Sequence, residues 1–82
     1  MDIGVEISLY PLCDEYLDPI RQVIARLNTE PGLRVVTNSM STQVFGPLEQ
    51  VLALLNREIA RTFAEQRKAV FVMKVLGPLA AA

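Results

Sequence analysis

The chain has 82 residues, of which 51% are apolar, and its eight Lys and Arg against nine Asp and Glu leave a net charge of −1. Length and composition describe one small folded domain, and the interspersed charges offer neither a basic block for nucleic acid nor an acidic disordered tail. There is no His and a single cysteine, Cys13, which removes the commonest general base, an internal disulfide and a paired-cysteine metal site.

A lone thiol suits a reducing compartment. The opening MDIGVEISLY carries Asp2 and Glu6 where a signal peptide would be basic, and no apolar run approaches the ~20 residues of a membrane span. The expectation is a cytoplasmic domain over residues 1–77, with residues 78–82 as a C-terminal tail. A domain this short buries a modest fraction of its surface. Its apolar content exceeds the needs of so small a core, and the surplus points to a symmetric homo-oligomer.

Residues 2–10 alternate. Ile3, Val5, Ile7 and Leu9 fall on one side, and Gly4, Glu6, Ser8 and Tyr10 on the other, the pattern of a half-buried strand that Pro11 ends. Residues 14–28 read as a helix whose stripe is Leu17, Ile20, Val23, Ile24 and Leu27, with an irregular turn from Asp14 that becomes regular after Pro19. The run from Asn28 to Gly32 is a stop signal. Leu33–Thr37 and Met40–Phe45 are β-rich and flank a turn at Asn38-Ser39, giving a hairpin. Pro47 suits the first position of a second helix over 47–66, with Leu48, Leu52, Leu55, Ile59 and Phe63 as core stripe, widened by Val51 and Leu54. Arg57, Glu58, Arg61, Glu65 and Arg67 form its wet side. A last strand over 68–76 is apolar on both faces: Val70 and Val72 on one, Ala69, Phe71, Met73 and Val75 on the other.

Strand–helix–strand–strand–helix–strand is the ferredoxin-like α+β arrangement. Right-handed crossovers put both helices on one face of a four-stranded antiparallel sheet. The other face, with Glu6, Ser8 and Tyr10, is left for a second subunit.

Two polar groups stand out as candidate chemistry. Glu6, Ser8 and Tyr10 share a sheet face and suit a flat polar ligand, but equally a solvated strand with Glu6 paired to Lys74 across subunits. Thr37, Asn38, Ser39, Ser41, Thr42 and Gln43 supply neutral donors and acceptors suited to a heterocycle. Turn chemistry alone accounts for Asn38 and Ser39. Met40 and Met73 read either as soft walls for a ring or as filler. Cys13 sits beside Asp14 and Glu15, which disfavour a thiolate. The same acidic loop excludes a phosphate cradle, and the open face lacks the basic support of an RNA-recognition motif. No catalytic residue, metal or cofactor is expected.

EISLYPL (Glu6–Leu12) and TNSMSTQVFG (Thr37–Gly46) resemble the two signatures of the thiamine-binding protein family, the YkoF-like domains, and the closing AVFVMKV resembles that family's last strand. Cys13 and the acidic loop depart from the glycine common in the family after the first signature. The resemblance implies non-catalytic binding of thiamine or its hydroxymethylpyrimidine moiety, and sheet-packed dimers that pair into tetramers. On matching positions it places ligand contacts at Glu6, Ser8, Tyr10, Asn38, Met40, Ser41 and Thr42. A second reading is a regulatory or assembly module of the same topology, binding an amino acid or other effector at a subunit interface.

Overall fold

The structure, a computed structural model, describes residues 1–66 and 68–80. The expectations for Arg67 and for the end of the tail at 81 and 82 lie outside the described residues. The elements are β1 (Asp2–Pro11), α1 (Leu17–Asn28), β2 (Arg34–Thr37), β3 (Thr42–Pro47), α2 (Leu48–Gln66) and β4 (Ala69–Leu79). All strand pairs are antiparallel, in the order β2-β3-β1-β4. This is the expected βαββαβ arrangement.

The alternation in β1 sorts its side chains as read. Ile3, Val5, Ile7 and Leu9 join Val44 of β3, Val23 and Leu27 of α1, and Val51, Leu54 and Leu55 of α2 in one buried cluster. Both helices therefore cover the same face. Each such side chain taken from water contributes about 1.5–3 kcal/mol before chain entropy is counted. Pairing with β1 sends Lys74, Val72 and Val70 to the face of Glu6, Ser8 and Tyr10, and Met73 and Val75 to the helix side. On the open face the ring of Phe45 lies over Gly4, where a Cβ would come within 2.8 Å of it, so the contact requires glycine. The Arg34 guanidinium sits 4.1 Å from the centre of that ring.

Several boundaries shift for physical reasons. Helix α1 begins at Leu17, with Asp14–Tyr16 outside it. Pro19 occupies the first turn, where a backbone N–H has no intrahelical partner to lose. Gly32, at φ 79°, makes the turn into β2. Pro47 is the last residue of β3, not the first of α2. Strand β4 continues to Leu79, so Pro78 and Leu79 belong to the sheet, not to a tail.

The largest correction concerns the rotation of α2. Leu52 and Phe63, expected in the core, are 45% and 46% exposed. Glu58, expected in water, is only 6% exposed. Arg26 Nε of α1 donates to Glu58 Oε1 at 2.7 Å, and this charge-assisted bond lets the carboxylate face inward. On the same flank, Gln50 Nε2 donates to the Pro31 carbonyl at 2.6 Å and Arg57 Nη2 to Glu30 Oε2 at 3.1 Å. These three polar ties hold α2 against α1 and its following loop. Thr62 turns inward with Glu58, and its Oγ1 has no hydrogen-bond partner among the described residues.

Candidate functional site

The register of β1 creates the candidate site. On one side β1 stays paired with β4 as far as Pro11↔Ala69. On the other, β3 accompanies it only to Ile7↔Thr42. Among the described residues, no strand lies beside the β3-side edge of β1 from Ser8 to Pro11, and a cavity of about 270 Å³ occupies the gap. That volume lies just below the ~300–1,000 Å³ typical of small-molecule sites.

Three elements wall the cavity. Ile7, Ser8, Leu9 and Tyr10 of β1 form its floor, drawing side chains from both faces of the strand. Helix α1 contributes Ile20, Val23, Ile24 and Leu27, and the β2–β3 hairpin contributes its turn and the flanking threonines. Phe71 of β4 completes the apolar part; its ring meets Phe63 of α2 edge-on, centroids 5.8 Å apart. None of the lining side chains is charged at neutral pH.

Hydrogen bonds set the shape of the hairpin rim. The Asn38 N–H donates to the Ser41 carbonyl at 3.1 Å. Asn38 Oδ1 accepts from the N–H groups of Met40 and Ser41, at 2.8 and 3.1 Å. The side chain thus copies a backbone turn, and its amide oxygen is committed to the rim. Among the described residues the Asn38 Nδ2 has no partner. Thr37 and Thr42 join hydroxyls across the hairpin at 3.2 Å.

Six of the seven sequence-nominated residues line this cavity: Ser8, Tyr10, Asn38, Met40, Ser41 and Thr42. Glu6 does not. It lies in a neighbouring depression of the open face, with Gln43, Phe45, Lys74 and Leu76. Ser41 bridges the two, because its Oγ donates to Glu6 Oε2 at 3.0 Å. Lys74 Nζ stands 3.9 Å from Glu6 Oε1 within the same chain, so the pair expected across subunits is made inside one. With Lys74 extended into water, this long pair holds little energy. Met73 lies outside the cavity, further along β4.

The apolar wall was the part missed as a site. Ile20 and Ile24 look like core positions in the sequence, yet they stay half-buried because they border the gap instead of meeting the sheet. No local signal separates a helix stripe that fills a core from one that borders a cavity. Among the described residues, no three His, Cys, Asp or Glu side chains converge as metal ligands would, and no helix is long and apolar enough to cross a membrane.

Known proteins place the chain. The family model described as the YKOF-related family matches residues 2–76. A Streptococcus pneumoniae protein superposes with a TM-score of 0.88 at 20% identity, covering 96% of this chain and 89% of its own. A Thermotoga maritima protein, provisionally described as acting in thiamine biosynthesis or salvage, gives 0.81 at 14% identity over 92% and 82% of the two chains. A Bacillus cereus domain of unknown function gives 0.77 at 15% identity, over 95% and 77%. At these identities the structural likenesses speak for the fold alone. No curated protein matches the sequence. With nearly its whole length accounted for by one family model, the chain belongs to the YKOF-related family.

Proposed function

We propose that this protein binds thiamine, or its hydroxymethylpyrimidine moiety, in the cavity beside the unpaired edge of β1, without catalysing a reaction. The observation that carries the reading is the uncharged cavity, in which Ser8, Asn38, Ser41 and Thr42 stand among aliphatic and aromatic walls. Membership of the YKOF-related family and the description of the Thermotoga maritima neighbour support it.

An aminopyrimidine presents an amino donor beside ring-nitrogen acceptors. Asn38 Nδ2 suits a ring nitrogen, and the hydroxyls of Ser8 and Ser41 adapt as donors or acceptors. The bare edge of β1 adds backbone groups, since a strand without a neighbour leaves its N–H and C=O groups unpaired. A ring lacking the matching groups would leave these half-buried or exposed partners without the hydrogen bonds, which are worth about 0.5–1.5 kcal/mol each, and that is the source of selectivity. Tyr10 and Phe71 offer ring faces for stacking. The cationic thiazolium would lie toward the Ser41 side, where Glu6 is one hydrogen bond away.

The same reading includes self-association through the open sheet face. Tyr10, Val70, Val72 and Leu76 form an exposed apolar strip there, and a sheet packed face to face against its copy would cover it.

Calorimetric titration with thiamine, hydroxymethylpyrimidine and a panel of amino acids tests the ligand. Binding of the first two, weakened about tenfold by Ser41→Ala, is the expected outcome, as loss of one hydrogen bond costs about this much. Absence of heat and of any thermal shift with millimolar thiamine and pyrimidine overturns the reading. A response to amino acids alone would replace it with the effector-binding module.

A further inference from the structure

We propose that Glu6 acts on the ligand cavity through Ser41: it takes the only proton of the serine hydroxyl, fixes Ser41 as an acceptor toward the cavity, and so makes the hairpin rim select a 4-aminopyrimidine over its 4-oxo counterpart. The proposal rests on the functional reading above. It gives Glu6, which lies outside the cavity, the part of a positioning residue.

The first observation is the direction of one hydrogen bond. Ser41 Oγ donates to Glu6 Oε2 at 3.0 Å. A hydroxyl has one proton and two lone pairs, and a carboxylate only accepts. With its proton given to Glu6, Ser41 has only lone pairs left for a guest. The carboxylate is itself held in place. It projects from β1, an inner strand, where Glu6 is paired with Gln43 of β3 on one side and Lys74 of β4 on the other. Its second oxygen, Oε1, faces Lys74 Nζ at 3.9 Å, which leaves Oε2 to the serine.

The second observation is the orientation of the Asn38 amide. Its Oδ1 accepts from the backbone N–H groups of Met40 and Ser41. Turned the other way, the amide would set its NH2 against two N–H donors, so the network permits one orientation. The Nδ2 group is thereby left as a donor. Because Oδ1 meets the N–H of Ser41 itself, at 3.1 Å, the Asn38 donor and the Ser41 acceptor stand side by side on one rim. The other hydroxyls of the cavity are not fixed in this way. Thr37 and Thr42 share a bond in which either can donate. Ser8, also in the lining, is free to turn its hydroxyl.

The rim therefore offers a fixed donor beside a fixed acceptor. A 4-aminopyrimidine is its complement, since the exocyclic amino group donates and the adjacent ring nitrogen accepts. In the 4-oxo ring, a lactam, the exocyclic oxygen accepts and the adjacent ring N–H donates. Both contacts then set like against like: lone pair against lone pair at Ser41, and N–H against N–H at Asn38. The two rings have nearly the same outline, so the apolar walls do not separate them, and discrimination falls to polar groups of fixed direction.

Calorimetric titration of the full chain with 4-amino-5-hydroxymethyl-2-methylpyrimidine and with its 4-oxo analogue tests the proposal. Both rings are uncharged in mildly alkaline buffer, so loss of the Glu6 charge does not by itself favour either. The wild type prefers the amino ring about a hundredfold, about tenfold for each of the two hydrogen bonds that the oxo ring cannot make. In Glu6→Gln the side chain keeps its shape but offers both a carbonyl and an NH2, so Ser41 can turn, and the preference falls to about tenfold by tighter binding of the oxo ring. Ser41→Ala brings the preference to the same level by weakening the amino ring. Adding Glu6→Gln to Ser41→Ala changes it no further, because Glu6 acts only through the serine. Equal binding of the two rings by the wild type, an unchanged preference in Glu6→Gln, or a further drop in the double variant overturns the proposal and leaves the functional reading standing. Binding of neither ring by the wild type overturns that reading and the proposal with it.

Discussion

The two β–α–β halves share one plan and use their helices differently. In the first, α1 meets the sheet through Val23 and Leu27, while Ile20 and Ile24 border an open cavity. In the second, α2 presses Val51, Leu54 and Leu55 against the sheet and leaves Leu52 and Phe63 on an outer flank. Each helix has more apolar positions than the core accepts. The surplus of α1 lines a space sized for a small molecule, and that of α2 lies over an unpaired strand. An apolar stripe thus narrows which way a helix faces, but does not settle its rotation or whether each of its residues meets core, cavity or a partner.

The sharpest way to break the comparison is to truncate one residue of each helix. Leu54→Ala, at a site 2% exposed, lowers stability by about 3 kcal/mol, because it removes packed methyl groups and leaves a void. Ile24→Ala only widens an existing cavity and costs about 1 kcal/mol, with a larger proportional loss in ligand binding. Urea unfolding with and without thiamine measures both. Equal destabilisation would show that the α1 stripe is ordinary core.

The polar tie between the halves comes next. Arg26→Ala leaves Glu58 inside the fold without its guanidinium and costs about 2 kcal/mol, less than for a fully buried pair because Arg26 is partly exposed. Adding Glu58→Gln to Arg26→Ala recovers part of that loss, and a double-mutant cycle reads the coupling. Asn38→Ala removes the two bonds that shape the hairpin rim and costs about 1 kcal/mol. If chemical denaturation finds the variant as stable as the wild type, the residue shapes no rim, and its role lies with the ligand alone. The smallest expected effect is at Thr62, where replacing an unpartnered buried hydroxyl by a methyl in Thr62→Val raises stability by about 0.5–1 kcal/mol.

Much of the site was legible because it lies on a strand and a tight turn. The alternation of Glu6, Ser8 and Tyr10 names a face directly, and the hydroxyls flanking Asn38 exceed what a turn needs. Glu58 was misread because a carboxylate on a helix is ordinarily solvated; only Arg26, 32 residues earlier in the chain, makes its burial tolerable. Glu6 was nominated as a contact, and the structure sets it behind Ser41 on the open face.

By itself the sequence determined the order of elements and the sidedness of β1 and α1. Periods of two and of 3.6 are local properties, and each names the buried face of its own segment. The tertiary structure alone decided where the cavity opens and which edge is left bare. Both follow from relations between distant segments: how far β3 accompanies β1, and how α2 is rotated once Arg26, Glu30 and Pro31 hold one of its flanks. No periodicity within a single segment encodes such an offset, because it arises only when the packed layers settle against one another.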